Sequence, residues 1–232
     1  MSGALLAAVL PASVASSEIR GTFVGETALF PSEARLVHRA VSRRRREFAA
    51  VRACARTCLA RLGEPAVPVL HDSHGAPVWP AGVVGSMTHC VGFAGAALAS
   101  TSTTRCLGID AEPNEPLASG LLEMIASAPE IQQLPPLTQV CADKLLFSAK
   151  EAAYKALYFL SPAPIDFLAL QVTVRPDGVL DARHIEGSSM TAPRLMQLSG
   201  RWYADDALIV TAFHAAAPRY GSPGSRKGKT CL

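Results

Sequence analysis

Residues 32–62 carry apolar side chains at Val37, Val41, Phe48, Val51, Ala55, Leu59 and Leu62, in steps of 3, 4 or 7. That spacing lines them up on one face of a long helix. Ser32 stands where a cap belongs, and Gly63 stops the run. A helix with one apolar stripe has to be covered by a second layer. The signature returns at 138–160, where Leu146, Ala149, Ala153, Leu157 and Leu160 form a ridge and Ser161-Pro162 closes it.

The covering layers are legible around these helices. "VVGSMTHC", "VGFAGAALAS" and "RCLGIDAE" are short, apolar and bounded by Gly, Ser or Thr, which predicts three neighbouring strands. "PNEPLASGLLEMIASAPE" predicts a helix over 117–127. After the second long helix, "DFLALQVTVRPDG", "VLDARHI", "RLMQLSGRWYADD" and "ALIVTAFHA" read as a meander with turns at Pro176-Asp177-Gly178 and Asp205-Asp206. The fold class is therefore α+β: two similar halves, 1–108 and 109–218, each a small, mainly antiparallel sheet packed on a long helix. The Gly/Ser/Pro tail 219–232 reads as disordered.

Composition narrows the function classes. With 49% hydrophobic and 18% charged residues the chain is not a disordered one. Its net charge is only +3, and part of that lies in the run Arg43–Arg46 and in the tail; a nucleic-acid binder is usually basic over a whole face. The arginine run reads either as a solvated helix segment or as an anion site. None of the six cysteines forms a C-x-x-C pair, which suits reduced thiols in a cytoplasmic protein. "MSGALLAAVLPASVAS" has no Lys or Arg ahead of an apolar run of only about eight residues, unlike a secretory leader. No stretch reaches the ~18 apolar residues of a membrane span. "KTCL" has its Cys one place too late for prenylation. His71 and His74, in a Pro/Gly-rich loop, read as surface residues.

The second long helix poses the sharper question, because Lys144, Lys150, Glu151 and Lys155 interrupt an apolar sequence. Glu151 and Lys155, four apart, share a face, and Lys144 and Ser148 extend the stripe. A solvated Glu–Lys pair would satisfy the pattern. Asp110 and Glu112 favour a cleft instead: two apart at a strand end, they point the same way and repel unless a cation lies between them. With Glu151 they make three hard oxygen donors of the kind that hold Mg²⁺ beside substrate phosphates, and Lys155 adds positive charge. Thr88 and His89, at another strand end, can donate to phosphate oxygens. Arg44 and Arg52 project to one side of the first helix.

"GSMTHC", "LGIDAEP" and "FSAKEAAYKA", with "LFPSEA", "RRRREFAAVRACARTCLARLG" and "GAPVWPAGVVGSMTH", resemble the 4′-phosphopantetheinyl transferases. The resemblance is to the enterobactin synthetase component D type within the surfactin-type group. It spans roughly residues 1–215 and implies two pseudo-symmetric α+β halves with coenzyme A between them. It also implies the reaction: the phosphopantetheine arm moves to a serine of an acyl-, aryl- or peptidyl-carrier protein, and adenosine 3′,5′-bisphosphate leaves. Carried across, Asp110, Glu112 and Glu151 match the metal site, for Mg²⁺ or Mn²⁺. Glu151 also matches the base, and Lys155 the lysine near the pyrophosphate. Thr88 and His89 match the pair near the nucleotide phosphates, Arg52 and more weakly Arg44 the 3′-phosphate contact, and Lys150 the lysine before the glutamate.

Two positions depart from the pattern. Ala76 stands where the group commonly has a phosphate-binding lysine, with Arg52 a candidate replacement, and Phe147 stands where Trp is frequent. The carrier is expected to dock near 113–145 on a monomeric enzyme, and siderophore, polyketide and peptide synthesis all remain open as the pathway. The alternatives are a Mg²⁺-dependent nuclease or phosphohydrolase, which leaves Thr88-His89 unexplained, and a nucleic-acid-binding module, which leaves the three acids unexplained.

Overall fold

The computed structural model describes residues 4–23, 29–162, 165–184 and 197–218; the tail expected to be disordered lies outside them. Helices α1 (Leu5–Val9), α2 (Pro31–Val37), α3 (Ser42–Arg61), α4 (Leu121–Ile125), α5 (Ala128–Gln132) and α6 (Ala142–Leu160) accompany eight strands. These are β1 (Ala15–Arg20), β2 (Val83–Cys90), β3 (Phe93–Ser100), β4 (Thr104–Pro113), β5 (Leu170–Val174), β6 (Val179–His184), β7 (Gln197–Ala204) and β8 (Leu208–Ala216). One antiparallel sheet runs β1-β3-β2 and carries α3; the other runs β4-β8-β7-β6-β5 and carries α6. This is the α+β layout expected from the periodicities.

The helix expected over 32–62 is two helices. The backbone turns extended at Val41, which is 73% exposed and takes no part in the apolar stripe. The break lets α2 fold back and carry Glu33 inward. Its fully buried carboxylate accepts the N–H groups of Phe30 and Val69, both at 2.9 Å, and pairs with Arg56 at 3.1 Å. A buried carboxylate needs such partners, and a continuous helix through 38–41 would not bring them together. Gly63, at φ +78°, ends α3 as its position predicts. Of the helix expected over 117–127, α4 at Leu121–Ile125 forms, and α5 follows beyond that range, with Glu130 at its third position accepting the Ser127 N–H at 2.9 Å. α6 begins at Ala142 rather than 138, after a segment containing Pro135 and Pro136.

The three strands predicted as neighbours divide between the sheets: β4 pairs with β8, not with β2 or β3. In place of a ladder, two β2 hydroxyls stitch the sheets together. Ser86 Oγ accepts the Ile109 N–H at 3.0 Å, and Thr88 Oγ1 accepts the Ala111 N–H at 3.1 Å. The segment that imitates a leader is core: Leu5, Leu6, Val9 and Val14 are buried with Ile109 and Val210. Glu18 of β1 accepts the Leu5 and Leu6 N–H groups at 2.9 and 2.8 Å, satisfying orphan donors of α1.

Gly108 sets the approach of β4 to α6. A Cβ there would lie 2.0 Å from the Ala152 carbonyl oxygen and 2.6 Å from the Ala156 nitrogen. Only glycine lets these backbones touch, and the contact places Asp110, two residues on, directly beneath α6.

Candidate active site

A cavity of about 330 Å³ opens between α3, β2, the 70–77 loop and α6. Arg44 and Arg52 of α3, Thr88 and His89 of β2, and Glu151 and Lys155 of α6 all line it. These side chains come from three distant segments of the chain, and the fold brings them to one wall.

Asp110 sits just beneath that wall, 4% exposed. Its Oδ1 accepts from Lys155 Nζ at 2.7 Å and from Thr88 Oγ1 at 3.1 Å, and its Oδ2 accepts from Ser148 Oγ at 2.9 Å. Burial works against the charge on Lys155, but Asp110, Glu151 and Glu112 outweigh it and raise its pKa. Lys155 is thus a firmly held ammonium at the cavity wall. Glu112 is pushed up to about 7, by burial first and then by Asp110, against the pull of Lys144 and Lys155. Burial and the nearby Asp110 also raise Glu151, with Lys155 opposing.

The three acids therefore share one field, but they do not converge into the ligand set expected of them. Among the described residues, no group of three or more His, Cys, Asp and Glu side chains is gathered to hold a metal ion. Lys155 instead meets Asp110 at 2.7 Å, and Lys144 lies 3.7 Å from Glu112. The donor chemistry nevertheless suits a hard divalent cation. All the donors are carboxylate oxygens, and Asp110, which with burial raises Glu112, repels it in a way that a bound cation would relieve.

Two roles expected from the sequence are altered. The Thr88 hydroxyl donates to Asp110 and accepts from Ala111, so it is already engaged. His89 receives Arg44 Nη1 at its Nε2 and lies 4.0 Å from Glu47 at its Nδ1. Burial and Arg44 hold its pKa low. With Arg44 donating to Nε2, the ring proton belongs on Nδ1, the nitrogen nearer Glu47.

Arg52 points its guanidinium over the Phe48 ring, 3.1 Å from the centroid, and donates to the Val69 carbonyl at 3.1 Å. Burial lowers its pKa to about 10 against the pull of Glu33, so it stays cationic at neutral pH. Arg44 is half exposed.

Lys150 is a correction. It is fully buried away from the cavity, where its Nζ meets Glu130 Oε1 at 2.8 Å and the carbonyls of Phe167 and Leu170 at 2.9 and 2.6 Å. Adjacent helical residues do not share a face, so a lysine next to Glu151 cannot line the same wall. Its structural role mirrors that of Arg56: each long helix sends a cation to the buried glutamate of a short preceding helix.

The sequence reading missed part of the wall. His71 and His74 are exposed, as expected of surface residues, but they also line the cavity, and Ala76 lines it too. Tyr154 and Tyr158 complete that side; Tyr158 donates to Asp72 Oδ2 at 2.7 Å, and its ring centroid lies 6.1 Å from that of His74. Tyr154 follows Glu151 by three positions and Tyr158 follows Lys155 by three, a helical spacing that could have found them.

The two long helices, most of both antiparallel sheets and the residues lining the cavity beside α6 lie within segments that match one family of transferases. Residues 32–99 match the 4′-phosphopantetheinyl transferase N-terminal domain, and residues 106–212 match the 4′-phosphopantetheinyl transferase superfamily. The chain is 48% identical over 206 residues to 4′-phosphopantetheinyl transferase Svp of Streptomyces mobaraensis, covering 86% of this chain and 84% of that one. It is 39% identical over 222 residues to 4′-phosphopantetheinyl transferase PptT of Mycobacterium tuberculosis, covering 90% and 97%. Enterobactin synthase component D of Salmonella typhi is 38% identical over 118 residues, 49% and 48% of the two chains. The chain belongs to the 4′-phosphopantetheinyl transferase superfamily, enzymes that carry phosphopantetheine from coenzyme A to carrier proteins. No helix among the described residues is long and apolar enough to cross a membrane.

Proposed function

We propose that the cavity receives the nucleotide and diphosphate of coenzyme A, and that Glu151 and Lys155 carry the transfer. Glu151 accepts the proton of the carrier's serine hydroxyl as its oxygen attacks the phosphorus nearer the pantetheine. The bond from that phosphorus to the bridging oxygen breaks, and adenosine 3′,5′-bisphosphate leaves. Lys155 steadies or protonates the departing phosphate. A hydroxyl is a poor nucleophile at neutral pH, so a base within hydrogen-bond reach helps. Burial raises Glu151 towards the working pH, where a general base is most effective. The observation that carries this reading is Lys155: its ammonium is held by Asp110 at 2.7 Å on the wall that Glu151 also lines. Arg52 and Arg44 offer cations for the remaining phosphate, and Arg52 lines the cavity together with Ala76, where the group's lysine is missing. Asp110, Glu112 and Glu151 would hold Mg²⁺, which when bound supplies positive charge for the diphosphate.

Siderophore, polyketide or peptide synthesis is the proposed setting, the first supported by the relatives named enterobactin synthase component D. We take the protein to act as a cytoplasmic monomer of halves 1–108 and 109–218, with the carrier docking near 113–145. The test is mass spectrometry on a panel of apo-carriers mixed with the protein and coenzyme A, with Mg²⁺ or with EDTA. The expected result is a gain of one phosphopantetheine on a carrier, abolished by EDTA. No gain on any carrier, or cleavage of nucleic acid instead, overturns the proposal.

A further inference from the structure

Behind the cavity wall lies a pair of hydroxyls that the reaction as described does not use. Ser148, on α6, and Thr211, on β8, are both fully buried, and their oxygens lie 2.9 Å apart. Ser148 Oγ is also 2.9 Å from Asp110 Oδ2, and Thr211 Oγ1 is 3.0 Å from the Ser148 carbonyl. Proton bookkeeping fixes the direction of this chain. Asp110, binding Lys155 as a carboxylate, only accepts. Ser148 has one hydroxyl proton and gives it to Asp110. Thr211 is then the donor, to Ser148 Oγ or to the Ser148 carbonyl.

We infer that Thr211 is a positioning residue for the transfer, acting through Ser148 to hold the Asp110 carboxylate in the orientation that presents Oδ1 to Lys155. Left alone, a serine inside a helix turns its hydroxyl back to the carbonyl four residues earlier, here that of Lys144. Thr211, giving its one proton to Ser148 Oγ from outside the helix, holds that oxygen on the side that faces Asp110. With Ser148 and Thr88 both donating, Asp110 has a fixed rotamer, and the Lys155 ammonium is fixed with it. A residue from the last strand, 63 positions from Ser148, thereby sets the geometry of the cavity wall.

The inference rests on the reading of Lys155 and Asp110 given above, and its test separates the two. Thr211→Val keeps the shape and removes the donor; Thr211→Ser keeps the donor. For folded proteins of matched melting temperature, Thr211→Val is expected to lower kcat about tenfold while KM for the carrier stays within about twofold, less than the ~10²–10⁴-fold of a group that itself moves the proton. Thr211→Ser is expected to restore kcat. A Thr211→Val enzyme with normal kcat, or a Thr211→Ser enzyme as slow as Thr211→Val, overturns the inference. Asp110→Asn is the control: if it leaves kcat unchanged, the reading of Asp110 fails, and the inference fails with it. If Thr211→Val does not fold, Ser148→Ala replaces it, with the same kcat-against-KM split expected and a normal kcat overturning the inference.

Discussion

At the scale of single residues, neighbours along α6 have opposite duties. Glu151 and Lys155 face the cavity, while Lys150 is buried behind them against Glu130. Composition alone would treat the two lysines alike; a rotation of one residue around the helix makes one a candidate for chemistry and the other a clamp. Glu151→Gln and Lys155→Ala are each expected to cut turnover at least ~100-fold, the low end of a general acid–base contribution, without loss of fold. Steady-state kinetics on proteins with wild-type circular dichroism check this. A folded Lys155→Ala enzyme with near-normal turnover would remove that lysine from the mechanism. Ser148 and Thr211 show the opposite case, ordinary hydroxyls whose value lies entirely in what they hold.

At the scale of elements, each long helix is anchored by one buried glutamate. Glu130 accepts from Lys150, Val172 and Ser127, and Glu33 from Arg56, Val69 and Phe30. Lys150→Met would leave Glu130 buried without its cation, a loss of about 3–5 kcal/mol, measurable by urea unfolding at pH 7. The sign of the pH effect follows from Glu130. Burial alone would raise its pKa, but the bonds from Lys150, Val172 and Ser127 hold it below its ordinary 4.5. Its contribution is therefore present above 4.5 and is lost as pH falls through the lower folded value. The acid-side drop in stability should shrink in Glu130→Gln. The Glu33 anchor explains why the helix expected over 32–62 is two helices. A periodic apolar stripe extends a helix on paper, but a buried carboxylate that must find two N–H groups and a cation breaks it.

At the scale of the whole molecule, the two sheets meet without a backbone ladder between β2 and β4, joined by the Ser86 and Thr88 hydroxyls. Ser86→Ala leaves the buried Ile109 N–H without its acceptor and should cost about 1–3 kcal/mol, read as a lower urea midpoint. Because Thr88 belongs both to the seam and to Asp110, the join between the sheets and the geometry of the cavity wall are one structure.

What the sequence settled by itself was local: two long helices, short apolar strands, the turn glycines, and a stripe of Glu151 and Lys155 on one helical face. Those features follow from backbone geometry repeating every 3.6 or 2 residues, which needs no knowledge of distant contacts. The tertiary structure alone decided which sheet β4 joins, that Lys150 meets Glu130, that His71 and His74 belong to the cavity, and that Thr211 reaches Ser148. Each of those is a pairing of groups far apart in the chain, selected because buried charges and donors must be satisfied by whatever the packing brings within about 3 Å.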